Sequence, residues 1–396
     1  MMDYLEHKIY ELNCFSPVHI GSGETLKKYE YLYDNTKHIV YFPDRAKWVS
    51  LLQRHGIFDD FLNYVNDPAK LTEMNGFAWL TKEHRVQEKE ILATASHKAL
   101  TPKDVSVSKG GRRIRQNIND IITAATLADG RLYIPGSSIK GALRTGVLYH
   151  LIKSHPEKVA RIESDISGLL RLRNRRDIDR ESNRIEKKLE DEMLNVLKFD
   201  SKTSAIKSSM RGLMVGDAIP TGRFDSVIVQ KNDGVLERDG RTCGENRISL
   251  FRECIPADSK MKFQISMDKR MMGEIGVNSI DEIVGFTREF TKAQVKELKK
   301  AFGKDAANRL YDAMFREAAD ADMFLGGGTG FLSKTFWVAL FANNRTEMIR
   351  ALLEKITPPK HSHNMKDRVI SPRTLKLAEV DKDTWLMGMC QLREIK

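Results

Sequence analysis

Strand-like and helix-like segments follow one another in long blocks along this chain, and strict alternation is not seen. Alternating apolar residues occupy residues 7–21, a helical period occupies residues 45–100, and strand patterns return over residues 211–268. A second helical block covers residues 281–321, and a closing strand lies near residues 385–392. Block order of this kind is typical of α+β proteins and not of βαβ repeats. We therefore predict an α+β fold, with a ferredoxin-like sheet that carries helical insertions.

The stretch "YIPGSSIKGALRTGVLYHLI" covers residues 133–152 and predicts a helix over residues 138–154. Ser137 or Ser138 is expected to cap its first turn, because serine accepts a hydrogen bond from the free N–H groups there. Lys140 and Arg144 lie four residues apart, near an end whose dipole favours anions. A bound phosphate would stabilise both cations. The alternative is that both simply face water.

A second glycine-rich stretch, "LGGGTGFLSKT" at residues 325–335, predicts a loop followed by another helix. It fails the P-loop pattern because Ser333 stands where the glycine before the lysine is required. It also fails the dinucleotide pattern because Phe331 replaces the third glycine. No nucleotide cofactor is therefore predicted. The glycines would let a polymer backbone approach closely beside Lys334, and the alternative is a hinge or a tightly packed turn.

A histidine stands beside a glycine turn in "SPVHIGSGE" near the N-terminus. His19 in this place could act as the general base of a metal-independent ribonuclease. It could instead be a structural histidine, or one that stacks on a base. The residues from Gly21 to Glu24 predict a turn.

The net charge of the chain is +11, so a polyanionic partner is an obvious candidate. The stretch of residues 101–120 has no strong period and reads as an exposed loop or hairpin that carries Arg112, Arg113 and Arg115. Residues 161–197 are dense in both signs of charge, which favours a solvated helix with paired side chains over direct RNA contact. An anionic membrane surface or a merely basic protein remains an alternative on charge alone.

Other classes of protein have little support in this sequence. The four cysteines are scattered, which is expected of a reducing compartment and not of a disulfide framework. No apolar run is long enough to span a bilayer, and the first residues lack a secretory pattern, so we expect a cytoplasmic protein without a membrane partner. His361 and His363 lack a third ligand at metal-binding spacing, and no metal or other cofactor is predicted.

Three of these motifs occur in a fixed order: "SPVHIGSGE", "IPGSSIKGALR", and "GGGTGFLSKT" followed by "SPRTLK". Together they resemble the RAMP proteins of type III CRISPR effector complexes. Their order and spacing look most like the fifth-subunit family of the type III-A (Csm) complex. The resemblance covers residues 15–376, and the regions 45–126 and 161–209 match only by their position as insertions.

The resemblance implies an RRM-like (ferredoxin-like) RAMP core over residues 1–275, with insertions near residues 45–126 and 155–210. A helix-rich part would follow over residues 276–396, with the glycine loop and a closing strand. The implied function is that of an RNA-binding structural subunit, which caps the backbone of the complex at the 3′ end of the CRISPR RNA and supports its maturation. The implied partners are CRISPR RNA, neighbouring Csm backbone subunits and, indirectly, target RNA.

The motifs also imply which residues face the RNA, whereas the three arginines are added from charge. No catalytic residue is assigned. Two alternatives stay open: a metal-independent RNA-processing endoribonuclease with His19 as base, or the equivalent subunit of the related Cmr complex. The expected RNA-binding residues are His19, Gly21, Ser22, Gly23, Ser137, Ser138, Lys140, Arg144, Gly326, Gly327, Gly328, Lys334, Arg112, Arg113 and Arg115.

Overall fold

The computed structural model describes residues 4–110, 112–198, 204–236, 243–303, 309–357 and 374–395. His361 and His363 lie outside the described residues. Within these ranges the strands are β1 (Leu5–Cys14), β2 (Gly21–Leu26), β3 (Leu32–Asp34), β4 (Ile39–Pro43), β5 (Ala95–Leu100), β6 (Ser106–Lys109), β7 (Arg112–Arg115), β8 (Ile121–Ala124), β9 (Leu213–Val215), β10 (Ile219–Pro220), β11 (Ser226–Leu236), β12 (Cys243–Cys254), β13 (Ser259–Asp268), β14 (Met323–Phe324), β15 (Thr374–Val380), β16 (Asp383–Leu386) and β17 (Met389–Ile395).

Helices fill the intervals between the strand blocks, as the α+β pattern predicts. Within the same ranges they are α1 (Arg45–Arg54), α2 (Phe58–Val65), α3 (Pro68–Glu73), α4 (Gly76–Ala78), α5 (Glu88–Leu92), α6 (Gly136–Ser154), α7 (Pro156–Arg171), α8 (Arg175–Met193), α9 (Ser204–Lys207), α10 (Lys269–Gly273), α11 (Ile280–Phe302), α12 (Arg309–Ala318) and α13 (Arg345–Ile356).

The first sheet has the strand order of a ferredoxin-like fold. Strand β1 lies between β17 and β13, both antiparallel to it, and β9 pairs with the outer side of β13. Helix α6 connects β1 to β9 along the chain, and α11 connects β13 to β17. This β-α-β-β-α-β arrangement is the one that the block order of the sequence favours. The fold-class prediction is confirmed.

One face of this sheet is covered by α6 and α11, and the main apolar core lies between them. Leu12 of β1 and Leu143 of α6 are fully buried there. Each such leucine contributes about 1.5–3 kcal/mol through the apolar area that it removes from water. The two helices approach closely at Gly146, where a β-carbon would lie 2.6 Å from the Cα of Thr287.

A second, larger sheet carries the N-terminal insertion. Its strands follow the order β2-β8-β12-β11-β5-β4-β3, and β15 adds to β11 with β16 beside it. Helices α1 to α5 pack on this sheet around a separate apolar cluster that contains Leu51, Tyr64 and Trp79. The predicted helical block therefore exists, except that residues 95–100 form strand β5.

The charge-dense stretch forms helices α7 and α8, which pack against each other. Their apolar stripes, which include Ile166 and Ile185, are buried, whereas Arg180 pairs with Asp177 on the outside. This confirms a helix laced with surface ion pairs, which follows from the mixed-sign spacing. Direct contact of this stretch with RNA stays a prediction.

Two local predictions are wrong. Residues Gly21 to Glu24 are the start of strand β2 and not a turn, because β2 pairs with β8 and its register shifts between Gly21 and Thr25. No helix follows the glycine loop directly. Short 3-10 turns occupy Leu332–Lys334 and Trp337–Ala339, and the next helix begins only at Arg345. The apolar run of residues 336–342 reaches the core through these turns instead.

The domain boundary at residue 275 stays a prediction, although the first sheet takes strands from both sides of it. Strands β1 and β13 precede this boundary, and β17 follows it. None of the helices in the described part of the chain is long and apolar enough to cross a membrane.

Candidate nucleic-acid interface

The first and third sequence motifs meet in the structure. The backbone N–H of Gly327 donates a hydrogen bond of 2.7 Å to the carbonyl oxygen of His19. Gly326 has a φ of +84°, and a β-carbon on it would lie 2.1 Å from the same carbonyl oxygen. Only glycine fits such a close approach at a positive φ. The glycine loop (residues 326–330) therefore packs directly against the segment that carries His19.

His19 itself lies inside the protein, with 4% of its surface exposed. Its Nδ1–H donates a 2.7 Å hydrogen bond to the carbonyl oxygen of Glu253, which sets the tautomer. Burial lowers the pKa of His19 below its usual value, and the positive charges of Arg252 and Lys334 act in the same direction. A neutral, buried imidazole of this kind supports the loop that lies on it.

Acidification is expected to destabilise the protein through His19. The imidazole binds a proton more readily in the unfolded chain, where its pKa is about 6.5. Its stabilising effect is therefore complete above that pH and decreases as the pH falls below it. Urea unfolding of the native protein and of His19→Gln, measured at pH 7.5 and pH 5.5, should show the larger loss of stability in the native protein.

His7→Gln is the matched control, because His7 is exposed and its side chain forms a hydrogen bond with Ser266 at the surface. This variant should keep the pH dependence of the native protein. The pKa of His150 is also lowered by burial, but this residue contributes equally to the pH dependence of stability in all three proteins. An identical pH dependence of stability in His19→Gln and the native protein would show that His19 does not cause the loss of stability in acid.

Glu253 of β12 ties this region to the second sheet. Its side chain is buried and receives hydrogen bonds from Ser226 Oγ at 2.8 Å and from the N–H of Ala124 at 3.0 Å. His97 Nε2 lies 2.8 Å from Glu253 Oε1, and its ring stacks on Phe42 at 4.4 Å. The carboxylate thus joins β5, β8 and β11 to β12.

The helix of the second motif begins differently from the prediction. Neither Ser137 nor Ser138 caps it, and the carboxylate of Asp217 accepts the N–H of Gly136 at 2.7 Å instead. A β-carbon on Gly136 would lie 2.1 Å from the carbonyl oxygen of Val215, so this glycine serves chain packing. A negative charge at this helix start weakens any anion site built on the dipole alone.

The two cations of that helix have different surroundings. Arg144 forms an ion pair with Glu190 of α8. Lys140 is half-buried, its pKa is lowered by burial, and it has no ion pair in the part of the chain that the structure describes. Lys140 is therefore the one of the pair whose ammonium would gain from a phosphate.

The arginine cluster lies on an exposed hairpin, as predicted. Strands β6 and β7 pair antiparallel, and Arg112, Arg113 and Arg115 are exposed on β7. Arg113 pairs with Glu245 of β12 at 2.8 Å. Arg112 and Arg115 have no ion pair among the described residues.

The structure brings some predicted residues together and leaves others apart. His19, Gly326, Gly327 and Gly328 form one cluster, and Gly21, Ser22 and Gly23 lie exposed on the strand that continues from it. Ser22 bonds there to Thr123 of β8 at 2.6 Å. The second motif is linked to this cluster by backbone hydrogen bonds from Ala125 to Ile20 and from Tyr133 to Ala125, and by the shared apolar core that contains Ile20 and Ile139.

Sequence reasoning missed two cations beside the glycine loop. Arg252 of β12 and Lys376 of β15 line a cavity with Gly328, Gly330 and Lys334. Arg252 lies in an ordinary strand pattern, so no local signal marks it. Lys376 belongs to the quoted "SPRTLK" stretch, and its part in that motif is the only signal that could have indicated it.

The chain is similar to known proteins in sequence and in fold. The sequence profile of the RAMP superfamily matches residues 11–333 of the chain. The CRISPR system Cms protein Csm5 of Enterococcus italicus is 31% identical over 343 residues, which cover 83% of this chain and 80% of that protein. Csm5 of Mycobacterium tuberculosis strain H37Rv is 26% identical over 99% of this chain and 98% of its own length.

Two solved structures share the fold. A chain of the cryo-EM structure of a Csm–crRNA–target RNA ternary complex superposes with a TM-score of 0.66 at 21% identity, over 98% of this chain and 100% of that chain. The crystal structure of T. onnurineus Csm5 superposes with a TM-score of 0.55 at 20% identity, over 83% and 92% respectively.

The chain belongs to the RAMP superfamily, because the profile match over residues 11–333 covers well over half of the chain and reaches the glycine loop. Its identity to the Enterococcus italicus protein, over four-fifths of that protein, places it within that superfamily in the Csm5 family of CRISPR Csm systems. The resemblance stated from the three motifs is confirmed.

Proposed function

We propose that this protein binds CRISPR RNA as a structural subunit of a type III-A (Csm) complex, capping the backbone at the 3′ end of the RNA and supporting its maturation. The observation that carries the proposal is the packing of the glycine loop on the His19 segment, with Arg252 and Lys334 beside it, which form no ion pair with any described residue. A Csm5-family relative occurs in a Csm system, and a structural neighbour comes from a Csm–crRNA–target RNA complex.

The chemistry of the surface suits an RNA whose sequence varies. Such an RNA must be held by its phosphates, sugars and shape, since base edges differ from one guide to the next. Exposed glycine backbone at Gly21 and Gly23 and the cations Lys140, Lys334 and Arg112 supply contacts of that kind. Neighbouring Csm subunits are the proposed protein partners, and target RNA would be reached through the guide.

RNA binding should depend steeply on salt, and Lys140 should account for part of that dependence. For a single strand the slope of log affinity against log salt is about −0.7 for each phosphate neutralised. Lys140→Ala is expected to reduce the slope by about that amount. Arg144→Ala should reduce it less, because Glu190 already neutralises Arg144. Filter binding of CRISPR RNA at several salt concentrations measures both.

Lys37→Ala serves as the control, because Lys37 pairs with Glu88 on the insertion and lies away from the three motifs. Its slope should equal that of the native protein. An unchanged salt dependence in Lys140→Ala would show that the second motif is not part of the RNA-binding site. Specific cleavage of precursor RNA in the presence of chelator, lost in His19→Ala, would contradict the structural role and favour the endoribonuclease.

A further inference from the structure

A cavity of about 380 Å³ lies between the glycine loop and strands β11 and β15. This volume falls within the range of about 300–1,000 Å³ that is usual for small-molecule sites. The loop from Gly328 to Lys334 forms one wall, and Arg252 and Lys376 lie on β12 and β15, which both pair with β11.

The lining is strongly positive. It holds four basic side chains, Lys231, Arg252, Lys334 and Lys376, and one acidic side chain, Asp233. Asp233 pairs with Lys376 at 2.8 Å and with Lys231 at 3.5 Å, so one carboxylate serves two ammonium groups. A net charge of +3 in a partly enclosed space attracts an anion.

Arg252 is the cation of this lining that is partly buried without a compensating partner among the described residues. It is half-buried, and among the described residues it forms neither an ion pair nor a side-chain hydrogen bond. Burial lowers the pKa of Arg252, and likewise that of Lys376, which is the expected effect of taking a cation out of water. A guanidinium in this state gains from a phosphate, which it can bind through two parallel hydrogen bonds.

The glycines of the loop leave room directly over the two cations. A β-carbon on Gly328 would lie 3.7 Å from Arg252 Cζ, and one on Gly330 would lie 3.5 Å from Lys376 Cγ. Both glycines have positive φ, +83° and +96°. The loop therefore presents bare backbone where any other residue would place a side chain against the cations.

Part of the remaining lining is apolar and includes two aromatic rings, beside the polar side chains of Gln230, Gln294 and Ser333. Phe324, Phe331, Leu298 and Met387 contribute to it. Phe331 is only partly buried, and its ring meets Trp337 edge-on at 5.1 Å. A bare inorganic anion would leave this apolar surface unused, whereas the flat face of a nucleobase would cover it.

We propose that this cavity binds one nucleoside monophosphate unit, with its phosphate at Arg252 and Lys376 and its base against the apolar wall near Phe331. The assignment does not depend on the function proposed above, because a free mononucleotide is a sufficient probe. The unit could belong to the bound RNA or arrive as a free nucleotide, and the experiment below separates these sources.

Isothermal titration of the full chain with AMP, adenosine and inorganic phosphate at low salt tests the proposal. AMP should bind more tightly than either of the other two. Arg252→Gln and Lys376→Gln should each weaken AMP at least tenfold. Arg131→Gln is the matched control, since Arg131 is exposed and pairs with Asp129 outside the cavity, and it should leave the affinity unchanged.

Equal affinity for AMP and adenosine, or for AMP and inorganic phosphate, would overturn the proposal. So would an unchanged AMP affinity in a folded Arg252→Gln. If that variant does not fold, Lys334→Gln decides, because Lys334 is exposed and its loss should weaken AMP severalfold without disturbing the core. Competition between AMP and CRISPR RNA would assign the cavity to an RNA nucleotide, and simultaneous binding would assign it to a free nucleotide.

Discussion

Gly326→Ala is expected to lower the free energy of unfolding by about 3 kcal/mol and to detach the glycine loop from the His19 segment. Two effects add at this position. Alanine at the φ of +84° is strained, at a cost of about 1–2 kcal/mol, and its β-carbon would lie 2.1 Å from the carbonyl oxygen of His19. The overlap forces the backbone apart and removes the hydrogen bond from Gly327.

Two control variants separate strain from overlap in urea unfolding. Gly23 has a φ of +92° but no atom within 4 Å of its β-carbon position, so Gly23→Ala should cost only about 1 kcal/mol. Gly141 lies within α6 with the same open space, and Gly141→Ala should stabilise by about 0.5–1 kcal/mol. Equal losses in Gly326→Ala and Gly23→Ala would show that the loop is not seated on His19.

Glu253→Ala is expected to destabilise the protein by about 3–5 kcal/mol, the range found when one partner of a buried charged network is removed. The change would remove the acceptor of the N–H of Ala124 and of His97 Nε2. Ser226 Oγ would keep its 3.2 Å hydrogen bond to the carbonyl oxygen of Lys98 and lose the shorter one to Glu253. Each orphaned group costs about 1–3 kcal/mol, and water fills the vacated space only in part.

Glu253→Gln is the conservative comparison, because its amide oxygen can still accept one or two of these bonds. We expect it to lose about half as much stability, and thermal unfolding of both variants gives the measurement. Glu24→Ala offers a matched control on the same sheet, since Glu24 of β2 is exposed and pairs with the exposed Arg45 at 3.8 Å. A loss in Glu253→Ala no larger than in Glu24→Ala would contradict the role of Glu253.

Elements with strong local signals were predictable from the sequence. Helix α6 was predictable because its apolar spacing continues for several turns. It begins at Gly136, two residues before the predicted start. The hairpin with Arg112 was recognisable from its glycine pair and its basic strand. The cap of α6 was not, because Asp217 lies 81 residues along the chain from Gly136. Local reasoning can only offer Ser137 or Ser138, the nearest oxygens.

The candidate site shows the same limit. His19 and the glycine loop could each be recognised as unusual, but the loop could not be placed on His19, since a bond between residues 19 and 327 has no local signature. Arg252 was missed altogether, because a strand arginine is ordinary until the strands around it are known. Its lack of an ion pair within the described part of the chain is a property of the packed structure.

The sequence by itself determined the order of strand and helix blocks, the basic character of the chain, and three glycine-containing motifs specific enough to indicate the RAMP superfamily. These are properties of neighbouring residues, for which period and turn chemistry suffice. Only the tertiary structure decided that β17 joins β1, that Glu253 links four strands, and that the glycine loop covers a positive cavity. Each of these depends on contacts between residues distant in sequence, whose energies come from burial and not from local propensity.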